Sequence, residues 1–213
     1  MHRPTKTYIS AAGQDWLLPL YDPLTRLLGV EAAHTKLLSQ AAISPGQRVL
    51  EIGCGTGNLT LLAQRLNPAA QFVGIDPDPK ALARARRKAG REGFTIQFDP
   101  GFSQELPYPD ASFDRVLSSL MLHHLPPDAR LVTLQEAHRV LKQGGSLHLL
   151  DFDEASHPSA GLHGHIVHPR HGYTPHDMVI RLMREAGFAE SQQVARQNLI
   201  IGKIVYYKAL RSP

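Results

Sequence analysis

The sequence predicts an α/β fold: one open, mostly parallel sheet with helices on both faces. Three observations predict it. Short apolar runs alternate along the chain with segments of helical spacing, the pattern of strands buried on both faces. The first of these runs, Val49, Leu50 and Ile52, stops abruptly in Gly53, Gly55 and Gly57 before the helical stretch from Asn58 to Leu66. The second, Gln71 to Asp76, ends in an acid. Glycines without Cβ atoms let a ligand press against the main chain just beyond a strand's carboxyl end, where nucleotide-like ligands bind in open α/β sheets.

At 213 residues, 42% of them hydrophobic, the chain is long enough for one well-filled domain and short for two. No apolar run approaches the ~20 residues of a membrane span, and Met1 to Gly13 lacks the apolar core of a secretion signal. A cytoplasmic location is therefore expected. The single cysteine, Cys54, has no partner for an internal disulfide and reads as a small residue that fits the glycine loop. The net charge of +4 is concentrated in Lys80, Arg84, Arg86, Arg87, Lys88 and Arg91, on a helix whose inner face is Ala81, Leu82, Ala85 and Ala89. No aromatics interleave with these cations, so a solvated face is expected rather than nucleic-acid binding.

Taken in order, the chain opens with a proline-broken apolar segment, Trp16 to Pro23, followed by helical spacing in Leu24, Leu27, Leu28, Val30, Ala33, Leu37 and Leu38. Residues 1–43 are expected to form a helical cap packed on the same domain, and two roles stay open for it: a layer that completes the core, or a lid with Trp16 or Tyr21 facing the ligand. Residues 44–213 form the cofactor-binding domain. The first strand carries Glu51, a buried carboxylate that needs a cation or hydrogen-bond donors; a ligand with an ammonium group supplies one. In a dinucleotide fingerprint the third glycine falls one residue later than Gly57. Asp76, at the end of the second strand, is placed to accept hydrogen bonds from ribose hydroxyls. The neighbouring Asp78 before Pro79 reads as a helix cap. Thr95 to Phe98 is expected as a third strand and Phe113 to Leu120 as a fourth. Asp128 to Leu141 reads as a helix closed by Gly144 and Gly145, followed by a fifth strand from Ser146 to Phe152. Thr174 caps a further helix ending at Gly187, and two last strands lie near Glu190 to Ala195 and Ile201 to Lys208.

The stretch Arg48-Val-Leu-Glu-Ile-Gly-Cys-Gly-Thr-Gly57 resembles motif I of class I S-adenosylmethionine-dependent methyltransferases. Leu106-Pro-Tyr-Pro-Asp-Ala-Ser-Phe-Asp114 and Arg139-Val-Leu-Lys-Gln-Gly-Gly145 resemble the group within them that includes ubiquinone and menaquinone C-methyltransferases and many small-molecule enzymes. The resemblance runs from about Gln47 to the C-terminus. It implies a Rossmann-like, seven-stranded sheet with a C-terminal antiparallel hairpin, and S-adenosyl-L-methionine as cofactor. Carried onto this sequence, it implies cofactor contacts from Glu51, Gly53, Cys54, Gly55, Gly57, Asp76, Pro77, Phe102, Ser103 and Ser119. That group usually has an acid for the adenine amino group where this chain has Phe102. Phe102 is then expected to pack on adenine, with the Ser103 backbone N–H addressing the ring and Asp99 as the alternative acid.

An acceptor would meet the methyl group at the end of the fourth strand, Ser118 to Leu125. Amino-methyltransferases of nucleobases commonly place an acid or Asn, two prolines and an aromatic there, and this chain does not. His123 or His124 is the candidate proton acceptor, since an imidazole titrates near working pH; the alternative is that one touches the ribose and the other packs. Met121, with Trp16 and Tyr21, is expected on the substrate side. His157, His163, His165, His168 and His171 crowd one loop. Without acids or cysteines to complete a ligand set, they are expected to form a substrate-side wall rather than a metal site. Methyl transfer to a small or lipid-like acceptor is the function expected. The alternatives are transfer to RNA or protein, and a cofactor-binding partner without turnover; nothing in the chain indicates an oligomeric state.

Overall fold

The computed structural model describes residues 28–153 and 176–212. Trp16, Tyr21, Thr174 and the histidine-rich loop from His157 to His171 lie outside the described residues. Along the chain come α1 (Val30–Ala41), β1 (Arg48–Ile52), α2 (Asn58–Leu66), β2 (Gln71–Asp76), α3 (Pro79–Arg91) and β3 (Gln97–Pro100). They are followed by β4 (Phe113–Ser119), α4 (Pro127–Val140), β5 (Leu141–Phe152), α5 (His176–Glu185), β6 (Glu190–Leu199) and β7 (Gly202–Leu210). The strands form one seven-stranded sheet in the order β3-β2-β1-β4-β5-β7-β6. β7 pairs antiparallel with both β5 and β6, and the other pairings are parallel. The fold class expected from the sequence is the one observed.

Side chains alternate across this sheet and divide the core in two. Leu50 and Ile52 pack with Leu134, Val140, Val179 and Met183 beneath α4 and α5. Val49 packs on the other face with Leu37, Leu59 and Tyr206 beneath α1 and α2, while α3 adds Leu82, Ala85 and Ala89 beside Phe98. Burying a side chain such as Leu50 or Ile52 contributes about 1.5–3 kcal/mol. Helix α1 belongs to this core, since Ala33, Leu37, Leu38 and Ala41 are buried in it.

Several boundaries differ from the sequence expectation, among them the end of β6 at Leu199 rather than Ala195 and the start of β5 at Leu141 rather than Ser146. β3 spans Gln97–Pro100 rather than Thr95 to Phe98, because its pairing with β2 runs from Val73↔Gln97 to Asp76↔Pro100. A proline is tolerated there because β3 is an edge strand and its missing N–H leaves no ladder bond unmade. α4 stops at Val140, and Gly144 and Gly145 do not cap it. They lie within β5 at a register shift between Phe113↔Leu141 and Arg115↔Ser146. Gly144 has φ 71°, and a Cβ on Gly145 would stand 2.8 Å from the Lys142 carbonyl oxygen. The glycine pair makes a bulge rather than a helix end. Strand order reverses between β1 and β4, and outside the carboxyl ends of these strands lies a cavity of about 660 Å3.

Candidate active site

The floor of the cavity is the turn between β1 and α2. The backbone N–H groups of Gly53 and Cys54 both donate to the Ile75 carbonyl (2.9 and 3.1 Å), and Gly57 N–H donates to the Cys54 carbonyl at 2.8 Å. Gly53 has φ 74°, and a Cβ there would stand 2.3 Å from Met121 Cγ, so the absent side chain is a requirement of close packing. Gly53, Cys54 and Gly55 line the cavity, but Gly57 does not. A Cβ on Gly57, at φ 79°, would lie 3.0 Å from Ala85 Cβ and 3.3 Å from the Phe98 ring. Glycine at 57 lets α3 and β3 approach the turn. The Cys54 side chain packs with Leu82, Ala85 and Phe98, and its thiol is pushed well up by burial and by the nearby carboxyl groups of Glu51 and Asp76, which keeps it inert.

Two carboxylates stand at the strand ends. Asp76 Oδ2 accepts from Gly55 N–H at 2.8 Å, and Oδ1 accepts from Asp78 N–H at 2.9 Å. Each oxygen retains a lone pair for a ligand hydroxyl. Asp76 therefore clamps the glycine turn to β2 and lines the cavity beside Pro77. Asp78 caps α3 as expected, accepting from the N–H groups of Lys80 and Ala81. Glu51 is 4% exposed, and burial pushes its carboxyl up to about 8 against a hydrogen bond from the Thr60 hydroxyl. Lys88 is the nearby cation, but its ammonium donates to Asn58 Oδ1 at 2.6 Å rather than to Glu51.

These groups fit S-adenosylmethionine. An ammonium supplies what a buried Glu51 lacks, a ribose diol suits the lone pairs of Asp76, and the bare Gly53–Gly55 backbone admits the chain between them. At the far side, Phe102 and Ser103 line the cavity. The Ser103 hydroxyl is paired with the Thr133 hydroxyl at 2.8 Å. Asp99, the alternative acid, lies outside the lining of the cavity, and its Oδ2 accepts from the Tyr108 hydroxyl at 2.9 Å and from the Gln97 amide at 2.7 Å.

The end of β4 forms the remaining wall. Leu120 takes φ 52°, a left-handed conformation costly for a branched residue. The turn is held by the Leu120 N–H bond to the Leu150 carbonyl (2.8 Å) and presents Met121 over the glycine turn. The two histidines separate. His124 lines the cavity, whereas His123 is 6% exposed and lies behind it, with Nδ1 2.5 Å from Asp151 Oδ1 and its N–H donating to Oδ2 at 3.0 Å. Burial alone would raise the Asp151 carboxyl; the adjoining His123 and the N–H of Phe152 hold it below the usual carboxylate range. The His123 and His124 rings adjoin, with centroids 4.0 Å apart and planes tilted by 39°.

Sequence reasoning missed His34, Thr60 and Asp151. His34 on α1 reaches across the cavity to Ser119, with Nε2 2.9 Å from the hydroxyl oxygen, and burial pushes its imidazole down to about 4. Thr60 and Asp151 act beneath the surface, each holding a group that the motifs had marked. Of these, only Asp151 carried a local signal, as an acid ending a buried strand.

A family model described as a methyltransferase domain matches residues 49–145. Among curated relatives, the demethylmenaquinone methyltransferase of Deinococcus radiodurans is 36% identical over 151 residues, covering 70% of this chain and 61% of the relative. The enzyme of the same name from Thermus thermophilus is 34% identical over 149 residues, covering 68% of this chain and 67% of the relative. The alignments thus span about two thirds or less of these relatives' length. A phosphoethanolamine N-methyltransferase of Haemonchus contortus, solved with phosphomonomethylethanolamine and S-adenosylhomocysteine, superposes with a TM-score of 0.72 at 15% identity, over 85% of this chain and 53% of that one. That likeness concerns the fold. With the strand order, the glycine turn and the carboxylates at the ends of β1 and β2, these similarities establish that the chain belongs to the S-adenosylmethionine-dependent methyltransferase family.

Proposed function

We propose that the protein transfers a methyl group from S-adenosylmethionine to a small, partly apolar acceptor. The observation that carries this reading is the continuity of one cavity. It runs from Glu51, Gly53 and Asp76 to an acceptor-side wall of Leu120, Met121, Leu125 and Val132, with few polar groups among them. When bound, S-adenosylmethionine supplies a methyl group already activated by its sulfonium. The residues then have to position, exclude water and receive any proton that the acceptor loses. The bond from methyl carbon to sulfur breaks, the acceptor atom supplies the new bonding pair, and sulfur keeps the old one.

Glu51 and Asp76 hold the two polar ends of the cofactor's ribose and methionine portion. Phe102 packs on the adenine, and Met121 closes over the glycine turn. His124 takes the proton where the acceptor has one to lose. His123 is a positioning residue, fixed by Asp151 and adjoining His124. Residues 44–213 form the catalytic domain, and residues 1–43 a cap, of which the segment carrying Trp16 and Tyr21 serves as a lid. The similarity to demethylmenaquinone methyltransferases supports quinols as the first acceptor class to try. Turnover with methyl-labelled cofactor across quinols, phenols, amines, phospholipid and bulk RNA tests the reading. Acceptor-dependent formation of S-adenosylhomocysteine with quinols or phenols is expected; label entering RNA above every small acceptor would overturn it.

A further inference from the structure

One polar pair in the cavity wall joins Ser119, a position for which the resemblance implies a cofactor contact, to a residue that no motif marked. His34 comes from α1, outside the segment matched by the family model, and Ser119 is the last residue of β4. Their contact of 2.9 Å joins positions 85 apart in the chain, and both line the cavity beside Leu120 and Met121. His34 is 7% exposed, so the pair is held in a largely apolar setting where a hydrogen bond is short of competing water. Among the described residues, no lysine or arginine lines the cavity, and its acids are Glu51, Asp76 and Asp128.

Resting on the methyl-transfer reading, we propose that His34 is a positioning residue that orients the Ser119 hydroxyl toward an uncharged hydroxyl of the acceptor, and so selects hydroxyl-bearing acceptors. A neutral imidazole carries one N–H. If Nε2–H donates to the Ser119 oxygen, the serine proton is left to donate into the cavity. If the serine donates to Nε2, its oxygen is left to accept. An acceptor hydroxyl satisfies either arrangement, because it donates and accepts; an amine cation or a carboxylate satisfies only one. Neutrality also suits the place. The same burial that pushes the imidazole down to about 4 avoids setting a second cation beside a sulfonium.

The test uses the full chain saturated with S-adenosylhomocysteine, with 1-naphthol and its hydroxyl-free counterpart naphthalene as probes. The wild type is expected to bind naphthol about five- to tenfold more tightly than naphthalene, the scale of one good hydrogen bond. His34→Ala and Ser119→Ala should each remove most of that preference. The double variant should lose little more than either single one, because the two act as a unit. His34→Gln, whose amide reaches the position of Nε2, should restore part of it. S-adenosylhomocysteine affinity of His34→Ala should stay within about threefold of wild type, as expected if the pair serves the acceptor rather than the cofactor.

An unchanged naphthol preference in His34→Ala would overturn the proposal, as would cofactor affinity that falls in step with naphthol binding. Turnover with labelled cofactor is scored separately. A His34-dependent naphthol contact without turnover on any acceptor would remove the methyl-transfer reading and leave the contact. Turnover on phenols with kcat and KM unaltered by His34→Ala would do the reverse.

Discussion

Glu51 links the chemistry of one side chain to a measurable proton. In the ligand-free protein its carboxyl is held near 8, so at pH 7 it is mostly protonated, whereas an ammonium partner requires the carboxylate. Cofactor association at pH 7 should therefore release protons from the site. Calorimetry of S-adenosylhomocysteine in two buffers of different ionisation enthalpy measures the release, and identical heats in both would defeat the assignment. The sign for folding is the opposite of a salt-bridged acid. Folded Glu51 keeps a proton that the unfolded chain has released above its ordinary value of 4.5, so its contribution to stability falls as pH rises from about 4.5 to about 8. Asp76 makes a complementary prediction. Asp76→Ala removes the oxygens expected to hold the ribose and those that clamp Gly55 and Asp78, and should weaken cofactor binding by about 1.5–3 kcal/mol, roughly ten- to 150-fold. Unchanged affinity would exclude the ribose contact. Glu51 and Asp76 were legible in the sequence because each ends or interrupts an apolar strand where a charge is otherwise costly. His34 was not, because its partner Ser119 lies far along the chain and only the packing of α1 brings them together.

At the scale of elements, strands announced themselves where they are buried on both faces and blurred where they meet an edge or a bulge. β1 and β2 could be read to their ends from apolar runs and the glycine or acid that follows. β3, on the edge, slid by two residues because its register is set by pairing with β2, which no local pattern encodes. The Gly144–Gly145 pair was mistaken for a helix end because glycine serves left-handed caps and bulges alike. The basic helix α3 has an internal explanation for part of its charge: Arg86 donates to the Phe98 carbonyl, and Lys88 to Asn58 beneath the glycine turn. Gly57 tests the junction of these elements. Gly57→Ala forces a side chain at φ 79° and within 3.0 Å of Ala85, where backbone strain and overpacking each cost about 1–3 kcal/mol. Because Gly57 does not line the cavity, the expected result is a lower melting temperature with nearly unchanged S-adenosylhomocysteine affinity once folded. A variant that melts like wild type but loses the cofactor would return Gly57 to the binding site.

At the scale of the whole molecule, the question is where the folding unit ends and the proposed lid begins. The sequence alone placed a boundary near Ser44, with residues 1–43 as a helical cap packed on the same domain, either completing the core or serving as a lid. The described core includes α1: Leu37 and Ala33 are fully buried against Val49, Leu59 and Tyr206. A chain beginning at Ser44 would expose that surface, and each lost leucine costs about 2–5 kcal/mol against a typical total of about 5–15 kcal/mol. It should fail to fold cooperatively even with cofactor present. A chain beginning at Gly29 keeps the whole of α1, including His34, and removes only the segment carrying Trp16 and Tyr21. This shorter deletion should keep a cooperative melt and bind S-adenosylhomocysteine within about threefold of wild type, since Glu51, Gly53 and Asp76 are untouched. If the segment encloses the acceptor, turnover should fall by tenfold or more through loss of alignment and water exclusion, roughly 1.4 kcal/mol or more in the barrier. Thermal melts with and without cofactor, followed by labelled-methyl turnover on the best acceptor, separate the outcomes. A Gly29 chain that turns over at the full-length rate would abolish the lid, and a folded, cofactor-binding Ser44 chain would show that α1 contributes far less to the core than its burial indicates.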